Sequence, residues 1–266
     1  MISLGKKNVL GVLVDAVDYE AAIQSIVEAA RQRAALAVSA LAVHGIITGV
    51  LDSEQKYRLN SFDVLVPDGQ PVRWALNWLY GTKLSERVYG PDLTLKVCQE
   101  AASHGLPVYF YGSTQEILTA LERYLKTKFP SLQICGMTPS KFRCTSESEK
   151  SEIVSRIKES GAAIAFVGLG CPRQEVFAYE YNKELSIPIV SVGAAFAFHA
   201  GVMPQAPRWM QQRGLEWLFR LSCEPRRLWR RYLLLNPLYL FLLLLQATGF
   251  EFATTGLPPS REMLCG

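Results

Sequence analysis

Short runs of consecutive apolar and β-branched residues alternate along most of the chain with longer stretches whose apolar positions recur every three or four residues. The runs "ALAVSALAV" (35–43), "FDVLVP" (62–67), "PVYFYG" (107–112), "LQICGM" (132–137), "AAIAFVGLG" (162–170) and "IPIVSVG" (187–193) have the length and continuity of strands buried on both faces. The helical period predicts helices over 19–33, 52–60, 71–80, 92–104, 114–127, 147–160 and 172–184. The connections are short and contain Gly, Pro or Ser, as crossover units require. The alternation predicts an α/β fold, a Rossmann-like and mostly parallel sheet with crossover helices. The N-terminal "MISLGKKNVLGVLVDAVD" reads as a strand and not as a signal peptide, because Asp15 and Asp18 interrupt its apolar run and no small-residue cleavage site follows.

The pattern changes near residue 206. The sequence predicts a catalytic α/β domain over 1–205, a basic and apolar helical appendage over 206–250 and a flexible tail over 251–266. The stretch "CEPRRLWRRYLLLNPLYLFLLLLQ" (223–246) sets four arginines before an apolar run from Tyr232 to Leu245, which Asn236-Pro237 is expected to break. That run is shorter than the ~20 residues a spanning helix needs, and a core helix would not carry Arg226, Arg227, Arg230 and Arg231 just before its apolar part. The reading that remains is a basic helix with a hydrophobic foot, lying in the headgroup region of an anionic membrane. At ~100° per residue, Arg220, Arg227 and Arg231 fall on one face and Arg230 lies to one side, unless Pro225 breaks the helix.

Composition narrows the function classes. The 266 residues are 49% hydrophobic and 20% charged, enough for a full core, and the net charge of +4 gives no support for a nucleic-acid partner. Most of the positive excess lies in the appendage, where seven arginines and only two acids, Glu216 and Glu224, occur between Arg208 and Arg231. The six cysteines form no Cys-x-x-Cys pair and the three histidines are far apart, so there is no zinc-ligand spacing and no metal is expected. Reduced cysteines in a cytoplasmic protein are the expected state.

The candidate chemistry clusters at strand ends. Two stretches, from Pro107 and from Ala162, each run strand, glycine turn, helix, strand. They place Gly112, Gly168 and Gly170 where open α/β sheets bind ligands and where helix N-termini favour phosphate. "VGLGCPRQE" (167–175) lacks the third glycine of a dinucleotide fingerprint and also fits a plain tight turn. Its polar trio Arg173, Gln174 and Glu175 can face a ligand over the strand ends. In "VLVPDGQPVRWA" (64–75), Asp68 follows a strand with its side chain free to enter the crevice as a general base, with Gly69 and Gln70 beside it as substrate contacts; an Asp-Gly turn is also an ordinary structural feature. "ERVYGPDL" offers Arg87, Tyr89 and Asp92, the last equally suited to a first helical turn favoured by the macrodipole. His44 follows a strand and can reach the crevice, whereas His104 and His199 fit turn or packing roles. Neither Asp-x-Asp, a P-loop nor a Gly-x-Ser-x-Gly elbow occurs, so a bound diphosphate would be neutralised by basic side chains or backbone amides, and the arginine-rich segment is the obvious supply.

The order "VLGVLVDAVDYEAA", "FDVLVPDGQPVRWA", "ERVYGPDL", "VYFYGS", "VGLGCPRQE" and "GVMPQAPRWMQQRGLEWLFRLSCEPRRLWRRY" resembles the WecG/TagA/CpsF family of bacterial glycosyltransferases over roughly residues 8–235. The resemblance implies a metal-independent, inverting transfer of an N-acetylmannosamine-like or related sugar from a UDP-sugar to a polyprenyl-diphosphate-linked sugar in cell-surface polysaccharide synthesis. No cofactor is implied beyond the UDP-sugar substrate. It further implies that Asp68 is the base, that Gln174 and the glycine turns hold the nucleotide sugar, and that Arg220, Arg227 and Arg230 meet the diphosphate. Many members carry a Thr-x-Asn where this chain reads "LAVHG", with Leu41 and Val43 in those places, so His44 is a candidate for part of the polar role. The expected location is the cytoplasm, bound peripherally at the inner face of the membrane through 223–246, with homo-oligomers compatible. Two other readings fit fewer features: a nicotinamide-dependent oxidoreductase, from Gly168-x-Gly170, and a catalytically idle membrane-associated assembly protein on the same scaffold, from the altered "LAVHG".

Overall fold

The computed structural model describes residues 1–266. In chain order it comprises β1 (Ser3–Val9), β2 (Val12–Val17), α1 (Tyr19–Gln32), β3 (Leu36–Leu41), α2 (Val43–Leu51), α3 (Ser53–Asn60), β4 (Val64–Pro67), α4 (Gln70–Tyr80), α5 (Gly90–Ser103) and β5 (Val108–Gly112). There follow α6 (Gln115–Lys128), β6 (Ile134–Thr138), α7 (Glu147–Glu159), β7 (Ile164–Gly168), α8 (Arg173–Leu185), β8 (Pro188–Ser191), α9 (Ala195–His199), α10 (Arg208–Gln212), α11 (Glu216–Cys223) and α12 (Pro225–Ala247). The six predicted strands form one parallel sheet in the order β4-β3-β8-β7-β5-β6, as the alternating pattern requires.

Strand side chains alternate between two cores. Leu41, Leu65, Tyr109, Tyr111, Val167 and Ile189 join one apolar cluster, which α2, α4, α8 and α12 cover. Val38, Val66, Phe110, Phe166 and Val190 join the other, under α1, α5, α6 and α9. Burial on both faces is why these strands read as continuous apolar runs. Neighbours β5 and β7 send their following helices, α6 and α8, to opposite faces, as β3 and β8 do with α2 and α9. A crevice therefore opens beyond the carboxyl ends of these strands.

Four local expectations change. The N-terminal segment is an antiparallel hairpin and not a single strand: Leu10 and Gly11 both take positive φ, 56° and 88°, and turn the chain between β1 and β2. Val43, expected to end the strand over 35–43, instead opens the helix α2, for which the sequence predicted no element. The helix α12 runs unbroken for 23 residues through Pro237, about 34 Å at 1.5 Å per residue. The backbone donor lost at Pro237 lies on the helix's outer side, where both Leu233 and Pro237 are exposed.

Residues 251–266 are not free. Asn8 and Asn60 donate side-chain hydrogen bonds to the carbonyls of Phe252 and Thr254, and Glu54 accepts from Ser260. The backbone amides of Met263 and Leu264 donate to the Glu180 carboxylate, Cys265 pairs antiparallel with Cys144, and Lys150 meets Glu262 at 2.7 Å. Polar partners spread over distant parts of the domain hold this segment, and nothing in its own composition signals them.

Candidate active site

Two clefts meet at the carboxyl ends of the strands. One, the glycine-turn cleft, is formed by the segment after β7 (Gly168 to Cys171), the segment after β8 (Val192 to Ala194), the end of β3, Ser113 and Gln174. The other, the α12 cleft, lies between the start of α2, the Asp68-Gly69-Gln70 turn and the appendage residues Gly214, Trp217, Tyr232 and Asn236. Ala42, Asp68, Glu216, Arg220 and Arg231 line both and so form their common wall.

Asp68 sits where β4 hands over to α4. Its backbone amide donates to the Leu41 carbonyl at 3.1 Å, tying the turn to the end of β3. Its Oδ1 accepts a 2.7 Å bond from the Gly90 amide at the start of α5. A β-carbon at Gly90 would lie 3.2 Å from the Ala40 β-carbon and 3.3 Å from the Val192 carbonyl oxygen, so glycine lets the α5 terminus approach the strand ends. Burial raises the Asp68 carboxyl to about 6, against the opposing pull of Arg87 and the Gly90 amide. A carboxylate poised there is mostly ionised at neutral pH yet more basic than a solvated aspartate.

Arg87 and Tyr89 flank this carboxylate and converge on one residue of the appendage. Arg87 Nη2 lies 2.5 Å from Glu216 Oε2, its guanidinium stacks 4.0 Å over the Tyr89 ring, and the Tyr89 hydroxyl donates to Glu216 Oε1 at 3.0 Å. Glu216 and Arg87 are nearly excluded from solvent, at 13% and 10% exposure. Sequence reasoning missed Glu216; its one available signal was an acid in an otherwise basic segment.

Polar atoms without partners mark the α12 cleft. His44 Nδ1, Gln70 Oε1, Arg220 Nε and Arg231 Nε are buried and make no hydrogen bond, although buried polar groups are ordinarily satisfied. Burial, with Arg220 and Arg227 nearby, lowers the pKa of Arg231. Burial and the Arg231 charge lower His44 to about 4, so its ring is neutral near pH 7. Uncompensated guanidinium donors beside a neutral imidazole form an anion-receptive pocket. No group of three His, Cys, Asp or Glu side chains converges as a metal site.

The other predicted residues divide. His44, Gly69 and Gln70 line the α12 cleft; Tyr89, Gly168, Gly170, Gln174, Glu175 and Arg227 line the glycine-turn cleft. Gln174 and Glu175 are largely committed within the fold: Gln174 accepts from the Gly193 amide at 2.9 Å and donates to Glu175 at 2.8 Å, and Glu175 also accepts from Ser39 at 2.9 Å. Gly112 (φ +119°), expected among the substrate contacts, lines neither cleft and acts through close approach, since a β-carbon there would meet the Gly168 carbonyl oxygen at 2.7 Å.

Three expectations are corrected. Arg173 turns away from the clefts and donates to the Gly266 carbonyl. Asp92 is an exposed first-turn residue of α5, in neither cleft. Arg230 is exposed against Trp229, and Arg231 takes the inward place expected of it. Arg220, Arg227 and Arg231 do converge, but across the corner at Glu224 that separates α11 from α12 and not along one helix.

The fold and clefts define an α/β protein with a candidate site at the strand ends, where a cleft-facing carboxylate lies under arginines of the appendage. The chain belongs to the glycosyl transferase WecG/TagA/CpsF family, whose model matches residues 7–251. It is 30% identical over 176 residues to the N-acetylglucosaminyldiphosphoundecaprenol N-acetyl-beta-D-mannosaminyltransferase of Bacillus spizizenii, an alignment that covers 66% of each chain, just under two thirds.

Proposed function

We propose that the protein transfers a sugar from a UDP-sugar to a hydroxyl of a polyprenyl-diphosphate-linked sugar, by a single inverting displacement that uses neither metal nor cofactor. One observation carries the reading: Asp68, Arg220 and Arg231 stand in the wall common to two clefts. The donor occupies the glycine-turn cleft, where strand ends and helix N-termini favour phosphate. The acceptor enters by the α12 cleft, beside the apolar helix. Asp68 takes the proton of the acceptor hydroxyl as its oxygen attacks the anomeric carbon from the opposite face, and UDP departs into the arginines. The unpartnered Nε atoms of Arg220 and Arg231 support neutralisation of a diphosphate by guanidinium groups in place of a cation. The name of the Bacillus relative supports an N-acetylmannosamine-type donor and a lipid-diphosphate acceptor.

The same reading places the protein at the inner face of the membrane. Leu228, Tyr232, Tyr239 and Leu243 of α12 are buried against the domain, Tyr239 donates to the Pro71 carbonyl, and Gln246 is held by two bonds to the β1–β2 hairpin. Trp229, Leu233, Leu240, Phe241 and Leu244 are exposed on the other side. By length and composition α12 could span a bilayer. A helix with one face committed to the domain and the other apolar favours lying in the interface.

The test is a panel of UDP-sugars screened for thermal stabilisation, followed by transfer assays to a short-chain lipid-diphosphate acceptor. Stabilisation by UDP compounds and not by NAD, with transfer of at least one sugar, is the expected result. Binding without transfer from any donor would favour an idle scaffold.

A further inference from the structure

Glu216 is the only acid in the wall between the clefts other than Asp68, and it comes from the appendage. Its two oxygens accept from Arg87 and Tyr89. The charged and titratable groups around Asp68 come from every element packed there. Arg87 and Tyr89 precede α5, Tyr19 belongs to α1, Glu216 and Arg220 to α11, and His44 and Arg231 face the same wall from α2 and α12. Among them Arg87 is the cation with the strongest pull on Asp68. A guanidinium freed to pair with Asp68 would turn a proton acceptor into one half of a buried ion pair.

We propose that Glu216 is a positioning residue: by clamping Arg87 it leaves Asp68 free to accept the proton of the incoming hydroxyl, so that seating α11 completes the base as well as supplying arginines. The inference rests on the reading of Asp68 as the general base. Chemically, Glu216 satisfies two donors of the core, Arg87 Nη2 and the Tyr89 hydroxyl, that would otherwise compete for the Asp68 carboxylate. Its own charge acts in the same direction, since a nearby carboxylate disfavours ionisation of Asp68. The consequence is a coupling: with the appendage displaced, the core retains Asp68 but loses the group that keeps its strongest cation occupied.

The test is the pH profile of kcat/KM for transfer to a short-chain lipid-diphosphate acceptor, measured on full-length wild type, Glu216→Gln and Arg87→Gln. Glu216→Gln removes the clamp and a negative charge together, so the acid limb should move to lower pH by about one unit. Arg87→Gln removes the competing cation and should move it upward. A Glu216→Gln profile reduced equally at every pH, with its limb in place, would show a merely structural contact and overturn the proposal. Should Glu216→Gln not fold, Arg87→Gln still decides, because an unmoved limb contradicts the same electrostatics. Failure of the underlying base assignment is read separately: Asp68→Asn would then keep both transfer and limb.

Discussion

The two clefts are built by different means. The glycine-turn cleft is made by the core itself. Its shape depends on backbone approaches such as Gly112 on Gly168, and on hydrogen bonds by which Gln174 and Glu175 hold strand ends together. The α12 cleft is made by an appendage laid over the core, and four of its lining residues, His44, Gln70, Arg220 and Arg231, carry buried polar atoms without partners. A preformed backbone cradle can receive a nucleotide with little rearrangement. An array of unpaired guanidinium groups instead stores a desolvation cost that only an anionic ligand relieves. On the proposed reading, recognition of the nucleotide falls to the core, and compensation of charge to the appendage.

The sharpest break in that division would come at Asp68, the proposed base in the wall that both clefts share. Asp68→Asn should lower transfer by about 10²- to 10⁴-fold while far-UV circular dichroism and UDP binding stay near wild type. Next in size is Arg231→Ala, which should cost roughly ten- to a hundredfold in kcat/KM, the worth of a charge-assisted hydrogen bond of about 1.5–3 kcal/mol. Arg230→Ala is the matched control: its exposed side chain should leave transfer to a soluble short-chain acceptor within about twofold of wild type. Leu240→Glu with Phe241→Glu should weaken sedimentation with anionic vesicles and leave turnover of the soluble acceptor nearly unchanged.

The pH dependence carries a definite sign. A base must be deprotonated to act, and burial raises the Asp68 carboxyl to about 6. Activity should therefore rise with pH through about 6 and level above it. His44, lowered to about 4, stays neutral across that range, so a second limb near the usual histidine value of ~6.5 is not expected.

The parallel sheet was legible in the sequence because burial on both faces writes itself as uninterrupted apolar runs, as in β5 and β7. Asp68 was legible because strand, turn and helix signals bracket it. What stayed hidden depends on contacts between distant parts of the chain. "VHGIITGVL" is β-branched and glycine-bearing, yet it forms α2 because the core cluster buries Val43, Ile46 and Ile47. Pro237 signals a break that α12 does not make. Arg230 and Arg231 are adjacent and alike, and only the corner at Glu224 decides which one turns inward. Glu216 became visible only once Arg87 and Tyr89 were found on it.

The central claim, that appendage arginines complete a diphosphate site begun by the core, is tested most directly by UDP titration of the full chain and of the Arg220→Ala, Arg231→Ala double variant, followed as thermal shift. The account expects a concentration-dependent rise in Tm for the wild type and its near loss in the double variant, with the ligand-free Tm preserved. An undiminished UDP-dependent rise in the double variant would contradict it.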